Sequence, residues 1–155
     1  MQEIFRNYGT IIIFLHILSA VIWVGGMVAI KFAVHPVLQS IDEPKMRLEK
    51  SLRIIGRLFH IVMPFIVLSA LCGIFILKGV GYSGGIIHLK EAIWTVMTLN
   101  YAYMYIKRTK AQQLYDKGEF AKAKEMVSIL PRILLPINIA LGLIAIFSGV
   151  LLRGF

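Results

Sequence analysis

Four stretches of the chain, residues 10–30, 58–77, 86–106 and 133–152, are predominantly apolar and about twenty residues long. A helix needs about 20 such residues, at 1.5 Å each, to cross roughly 30 Å of hydrocarbon. Only the third carries formal charge, Lys90 and Glu91, close to its start. With a mean hydropathy of +0.78 over 155 residues, the chain is too apolar for a soluble domain of this size. The pattern predicts an all-α protein: one four-helix transmembrane bundle over 1–155, with no second domain. The lipid bilayer is its first partner.

The basic residues orient the bundle. Six of the seventeen lysines and arginines lie between the first two spans (Lys31, Lys45, Arg47, Lys50, Arg53, Arg57). Seven lie between the last two (Lys107, Arg108, Lys110, Lys117, Lys122, Lys124, Arg132). Basic loops stay in the cytoplasm, so both termini are expected on the outer, periplasmic side of a bacterial inner membrane. Anionic headgroups account for most of the net charge of +9, and nucleic acid is not expected as a partner. The start, MQEIFRNYG, carries Glu3 and Arg6 ahead of a run too long for a secretory signal, so the first helix is expected to be retained. Cys72 is the only cysteine and reads as a small core residue.

Against this background the histidines are the informative residues. In FLHILSAVIWVGGMVAIKFAVHP, His16 lies inside the apolar run and His35 closes it before Pro36. A buried imidazole costs free energy without a partner, and an ionisable residue inside a span is by default a candidate functional group. His16, Ser19, Trp23 and Gly26 share one helical face by their steps of three and four, and that face is expected to look into the bundle. His35 lies about 28 Å further along the axis, so the two cannot share a metal ion. His60 opens the second span, and Pro64, lacking an N–H for the carbonyl of His60, predicts a loosened turn there. Ser69, Ala70, Cys72 and Gly73 thin the second helix at the expected depth of His16. His88 and Glu91 share a face at the start of the third, and Lys90 points elsewhere.

By depth, His16 and His88 form an outer pair and His35 and His60 an inner pair. Bundles build cofactor sites from facing helices, and imidazole is a common haem ligand. The reading is one haem b on the outer pair, with a second on the inner pair left open. Lys90 is the substitute ligand for His88, and Trp23 and Gly26 line the site, with the glycine leaving room for a flat group. Left open as well are interfacial roles for His35 and His88, and a bond from His60 to a loosened carbonyl. No GxSxG, HExxH, CxxC or phosphate-binding loop occurs, so any catalysis would be the cofactor's.

The segments LHILSAVIWVGG, the HP that follows, RIIGRLFHIVMPFIVLSALCGIFIL and IHLK resemble the superfamily that joins HemJ-type protoporphyrinogen oxidases to CopD-like copper-resistance membrane proteins. The positions that match are His16, His35, His88 and Lys90, while PINIALGLIAIFSGVLLR in the last span is closer to the CopD-like side. The resemblance implies a b-type haem protein acting in electron transfer. If enzymatic, it is a haem-dependent oxidoreductase that oxidises a porphyrinogen or a quinol and is coupled to quinone or a respiratory complex. Two alternatives stand beside it. One is a copper-handling protein, with Met27, Met63 and Met97 as soft ligands for Cu(I). The other is a cofactor-free accessory subunit. Homo-oligomerisation is left open.

Overall fold

In the computed structural model, which describes residues 2–81 and 84–153, four long helices account for nearly all of the chain. They are α1 (Gln2–Gln39), α2 (Pro44–Val80), α3 (Gly85–Asp116) and α4 (Phe120–Leu152). No strand occurs among the described residues. The expected spans are therefore the apolar parts of longer helices. The basic segments expected as loops are largely helical too, and turn only at residues 40–43 and 117–119.

Local chemistry sets the turns. Pro44 cannot follow a helical residue comfortably, so Glu43 is extended (φ −73°, ψ 112°) and Pro44 opens α2 at a position where its missing N–H costs nothing. Gly81 closes α2 in the left-handed region (φ 74°), its N–H donating to the carbonyl of Leu77 at 3.1 Å, the usual glycine stop. Gly118 (φ 80°) does the same work between α3 and α4.

Three of the four helices, α1, α2 and α4, are long and apolar enough to cross a membrane, with mean hydropathies of 2.4, 2.4 and 2.3 in their most apolar stretches. The protein is thus a multi-pass membrane protein in contact with the bilayer. α3 falls short by composition, not by length: its 32 residues extend about 48 Å, but it carries His88, Lys90, Glu91, Asn100 and several tyrosines. α1 packs on α2 and on α4, and α3 closes the square by packing on α4 and α2.

The polar groups of α3 are turned to packing. Asn100 Nδ2 donates to Asn138 Oδ1 at 2.8 Å and to the carbonyl of Leu134 at 2.9 Å, while Asn138, fully buried, donates to the carbonyl of Met97 at 3.2 Å. Tyr101 Oη donates to the carbonyl of Phe59 at 2.5 Å. In hydrocarbon such groups need protein partners, and these bonds fix the register of α3 against α2 and α4.

Two π-helical turns, Ile30–Val34 in α1 and Leu130–Leu134 in α4, end two residues before Pro36 and Pro136 respectively. Proline removes one rung of the helical ladder and its ring displaces the preceding turn, which widens to i→i+5 bonding. The two wide turns meet, because Lys31 Nζ donates to the carbonyl of Pro131 at 2.7 Å.

Apart from Ile87 near the start of α3, the large buried side chains lie in one half of the bundle. They run from Trp23 to Ile30 in α1, Leu48 to Ile66 in α2, Ile93 to Ala111 in α3 and Ala123 to Ile139 in α4. This is the end that carries the basic residues. The other half buries mainly small groups, Ser19, Ser69, Cys72 and Ser148. Packing there is thin.

Candidate functional site

The thin half is where His16 sits. Its Nδ1 lies 3.0 Å from the carbonyl oxygen of Ser69 in α2. A carbonyl only accepts, so Nδ1 carries the proton and the Nε2 lone pair is left uncommitted. Gly73, one turn further along α2, lies against the ring; a Cβ there would touch Cε1 at 3.5 Å. The small residues expected to face His16 across the α1–α2 contact do so.

From the opposite corner α3 contributes Lys90. Its stem runs inward over α4, so that a Cβ on Gly149 would lie 2.9 Å from Nζ. Lys90 takes part in neither of the two ion pairs found among the described residues, His88–Glu91 and Lys122–Glu119. An ammonium half-buried in a membrane protein without a carboxylate is a costly arrangement. His16, Ser69 with Gly73, Lys90 and Gly149 bring all four helices to one level.

His88 is placed differently. Its side chain is 81% exposed and its bond is to Glu91, at 3.3 Å on its own helix. The inner histidines are also tied locally: His35 Nε2 lies 3.3 Å from the Gln39 amide nitrogen, and His60 Nδ1 donates to the carbonyl of Gly56 at 2.6 Å. His60 stands edge-on to Tyr105 at 6.0 Å. No hydrogen bond joins His35 to His60. The loosened turn expected at Pro64 leaves α2 helical throughout, and the His60 ring bonds a backbone carbonyl one turn back.

Trp23 is buried in the core, edge-on to Tyr101 at 6.4 Å, and its Nε1 has no partner; Trp94 Nε1 and Thr98 Oγ1 are likewise buried and unpartnered. Gly26 corrects an expectation. The space released by its missing side chain is filled by Leu58, whose Cδ1 would lie 2.9 Å from a Cβ there, so no flat group passes at that level. Met27 and Met97 belong to the core, while Met63 is exposed on α2. Among the described residues no three His, Cys, Asp or Glu side chains come together as a metal-binding group.

A haem iron bound at the outer level would be held by His16 and Lys90. The first is an imidazole whose tautomer is fixed by a carbonyl and the second an amine held inside the bundle, both within a half lined by small residues. At the inner level each ring bonds one residue of its own helix, His35 the Gln39 amide and His60 the carbonyl of Gly56 through Nδ1.

The tie between His16 and Ser69 was anticipated in depth, but the inward reach of Lys90 was not. Four methylenes carry its amine off the face that helical periodicity assigns. Asn100 was the one overlooked polar residue with a signal: it is the only asparagine of the third span. No family model matches the chain, and no curated protein and no solved structure matches it.

Proposed function

We propose that the chain is a four-span b-type haem protein of the bacterial inner membrane, with both termini on the outer side. In this reading it passes electrons from a porphyrinogen or a quinol to a respiratory partner. The observation that carries the reading is His16, an imidazole within a span, hydrogen-bonded through Nδ1 to Ser69 and free at Nε2. The length of α3 and its place between α2 and α4 support counting it as the fourth span, and the basic residues at one end support the orientation. The resemblance to HemJ-type and CopD-like proteins is the source of the substrate class.

Haem b, when bound, supplies a one-electron couple whose potential depends on its axial ligands. The chain's own residues do the rest. Ser69 holds the imidazole in one tautomer and strengthens it as a donor. Lys90, as a neutral amine, would be the second residue to hold the iron, and the large side chains from Trp23 downward keep water out of the inner half. His88 at the surface, bonded to Glu91, stands at the rim and not on the iron.

The test is the colour of the purified protein and its loss. The wild type is expected to show a Soret band and reduced b-type bands. His16→Ala should lose them while still inserting, Lys90→Met should change the spin state, and His88→Ala and His60→Ala should keep the spectrum. Colourless wild-type protein that haem cannot reconstitute overturns the reading. If that protein binds Cu(I), the copper-handling alternative replaces it; if it binds neither, the accessory-subunit alternative does.

A further inference from the structure

Away from His16, the seam between α2 and α3 changes character along its length. Near the basic end it opens into a cleft of 430 Å³ lined by Arg53, Arg57, Arg108, His60, Glu49 and Asp116 among others. Next to it along both helices lies a second cleft, of 310 Å³, whose lining includes Met63, Ile66, Val67, Ala102, Tyr105 and Ile106. On α2 the lining positions 49, 53, 57, 60, 63 and 67 follow one another by three and four, as do 116, 112, 108, 105, 102 and 98 on α3. The two clefts are therefore consecutive parts of one groove. The change from charged to apolar falls where His60 meets Tyr105.

Arg108 is built into this groove. Its Nε and Nη2 donate to the carbonyl of Leu52 at 3.0 and 2.8 Å, and Nη2 also donates to Gln112 Oε1 at 3.1 Å. Of the five guanidinium hydrogens the two on Nη1 are left uncommitted. The guanidinium lies flat on Gly56, where any Cβ would collide with it. Neither carboxylate of the cleft neutralises it: Asp116 accepts from Gln112 at 2.9 Å, Glu49 accepts from Tyr115 Oη at 3.3 Å, and neither forms an ion pair with an arginine. Three guanidiniums against two carboxylates leave the cleft positive.

We propose that this groove is a binding site for an anionic diacyl phospholipid, with its phosphodiester against Arg53, Arg57 and the free edge of Arg108 and one acyl chain along the apolar part between α2 and α3. Basic pockets between helices at the membrane surface take anionic headgroups, and arginine matches phosphate oxygens in a two-point fork. The apolar continuation is what separates a lipid from a soluble anion, since a free phosphate has no use for it.

The test is competitive retention by the full-length protein in neutral detergent, read by native mass spectrometry with equimolar phosphatidylglycerol and phosphatidylcholine of the same chains. Wild type is expected to retain phosphatidylglycerol preferentially. Each cleft arginine removed should reduce that preference about fivefold, and the Arg53→Gln/Arg57→Gln pair by on the order of 25-fold. Among the described residues Arg53 and Arg57 make no hydrogen bond, so this pair tests the site even if Arg108→Gln unfolds the protein. Val67→Trp, which fills the apolar part, should lower retention of both lipids with every arginine present. Removing equal charge elsewhere, with Lys110→Gln/Lys124→Gln, should change nothing. The proposal is overturned by equal retention of the two lipids, by an equal effect of the lysine pair, by indifference to the arginine pair or to Val67→Trp, or by full displacement with inorganic phosphate.

Discussion

Lys31 and Pro131 stand in the two π-helical turns found among the described residues, and the lysine amine donates directly to the proline carbonyl. Each turn is widened by a proline just downstream, so each has loosened backbone on the face where the other helix approaches. The bond anchors α1 to α4 near the basic end.

Replacing Lys31 by Met is accordingly expected to destabilise the protein by about 1.5–3 kcal/mol, the range for a hydrogen bond to a charged group. Thermal unfolding in detergent would register it. A shift no larger than that of an exposed lysine such as Lys124 would mean that the bond contributes nothing.

Asn100 and Asn138 lie in different helices and share a bond of 2.8 Å. Their coupling in a double-mutant cycle should be about 0.6 kcal/mol and no more than about 1.7, the span found for such pairs inside membranes. The single change Asn138→Leu should cost more, about 1–3 kcal/mol, because it strands an Asn100 N–H that has no water to turn to. Equal costs for the single change and the coupling would contradict this separation.

A reporter joined after Phe155, which lies outside the described residues, should be active only if it folds on the outer side of the membrane. Activity of a reporter that works only in the cytoplasm would reverse the depths of both histidine pairs.

At the turn into α4, Lys122 Nζ donates to Glu119 Oε2 at 2.5 Å. That bond first, and the lysine charge second, hold the Glu119 carboxyl below its ordinary value. A depressed carboxylate lends stability that is present above the unfolded carboxylate value and is lost as pH falls through the folded one. Both groups are open to solvent, so the effect on unfolding is small and the carboxyl carbon signal in NMR is the better readout. Lys122→Ala should move its midpoint back up, and an unmoved midpoint would rule out the lysine as the cause.

Much of the fold could be read from hydropathy because a bilayer leaves so few choices: long apolar runs predict helices, and the structure is all-helical with three helices long and apolar enough to cross a membrane. The helices outlast those runs because Pro44 and Gly118 place the turns, whereas Lys45 to Arg57 looked like loop by charge alone. At the site, Ser69 and Gly73 were legible as small residues at the depth of His16, since depth follows from counting. Lys90 and Arg108 were not, because long side chains reach across faces that counting assigns. The mutual distance of His35 and His60 was equally hidden, as it depends on how α1 and α2 cross, and each ring found a partner within one turn of its own helix.

Large side chains interlock these four helices from Trp23 to the basic end, and apart from Ile87 small ones are buried along the rest of their length. A bundle built this way behaves like a clothes-peg, gripped at one end and compliant at the other. If a bulky group binds at His16 as proposed, it would enter at the compliant end while the gripped end stays shut. Amide exchange should fade from slow to fast along each helix in the same direction, with the slowest protons around Met27, Leu52, Met104 and Leu130.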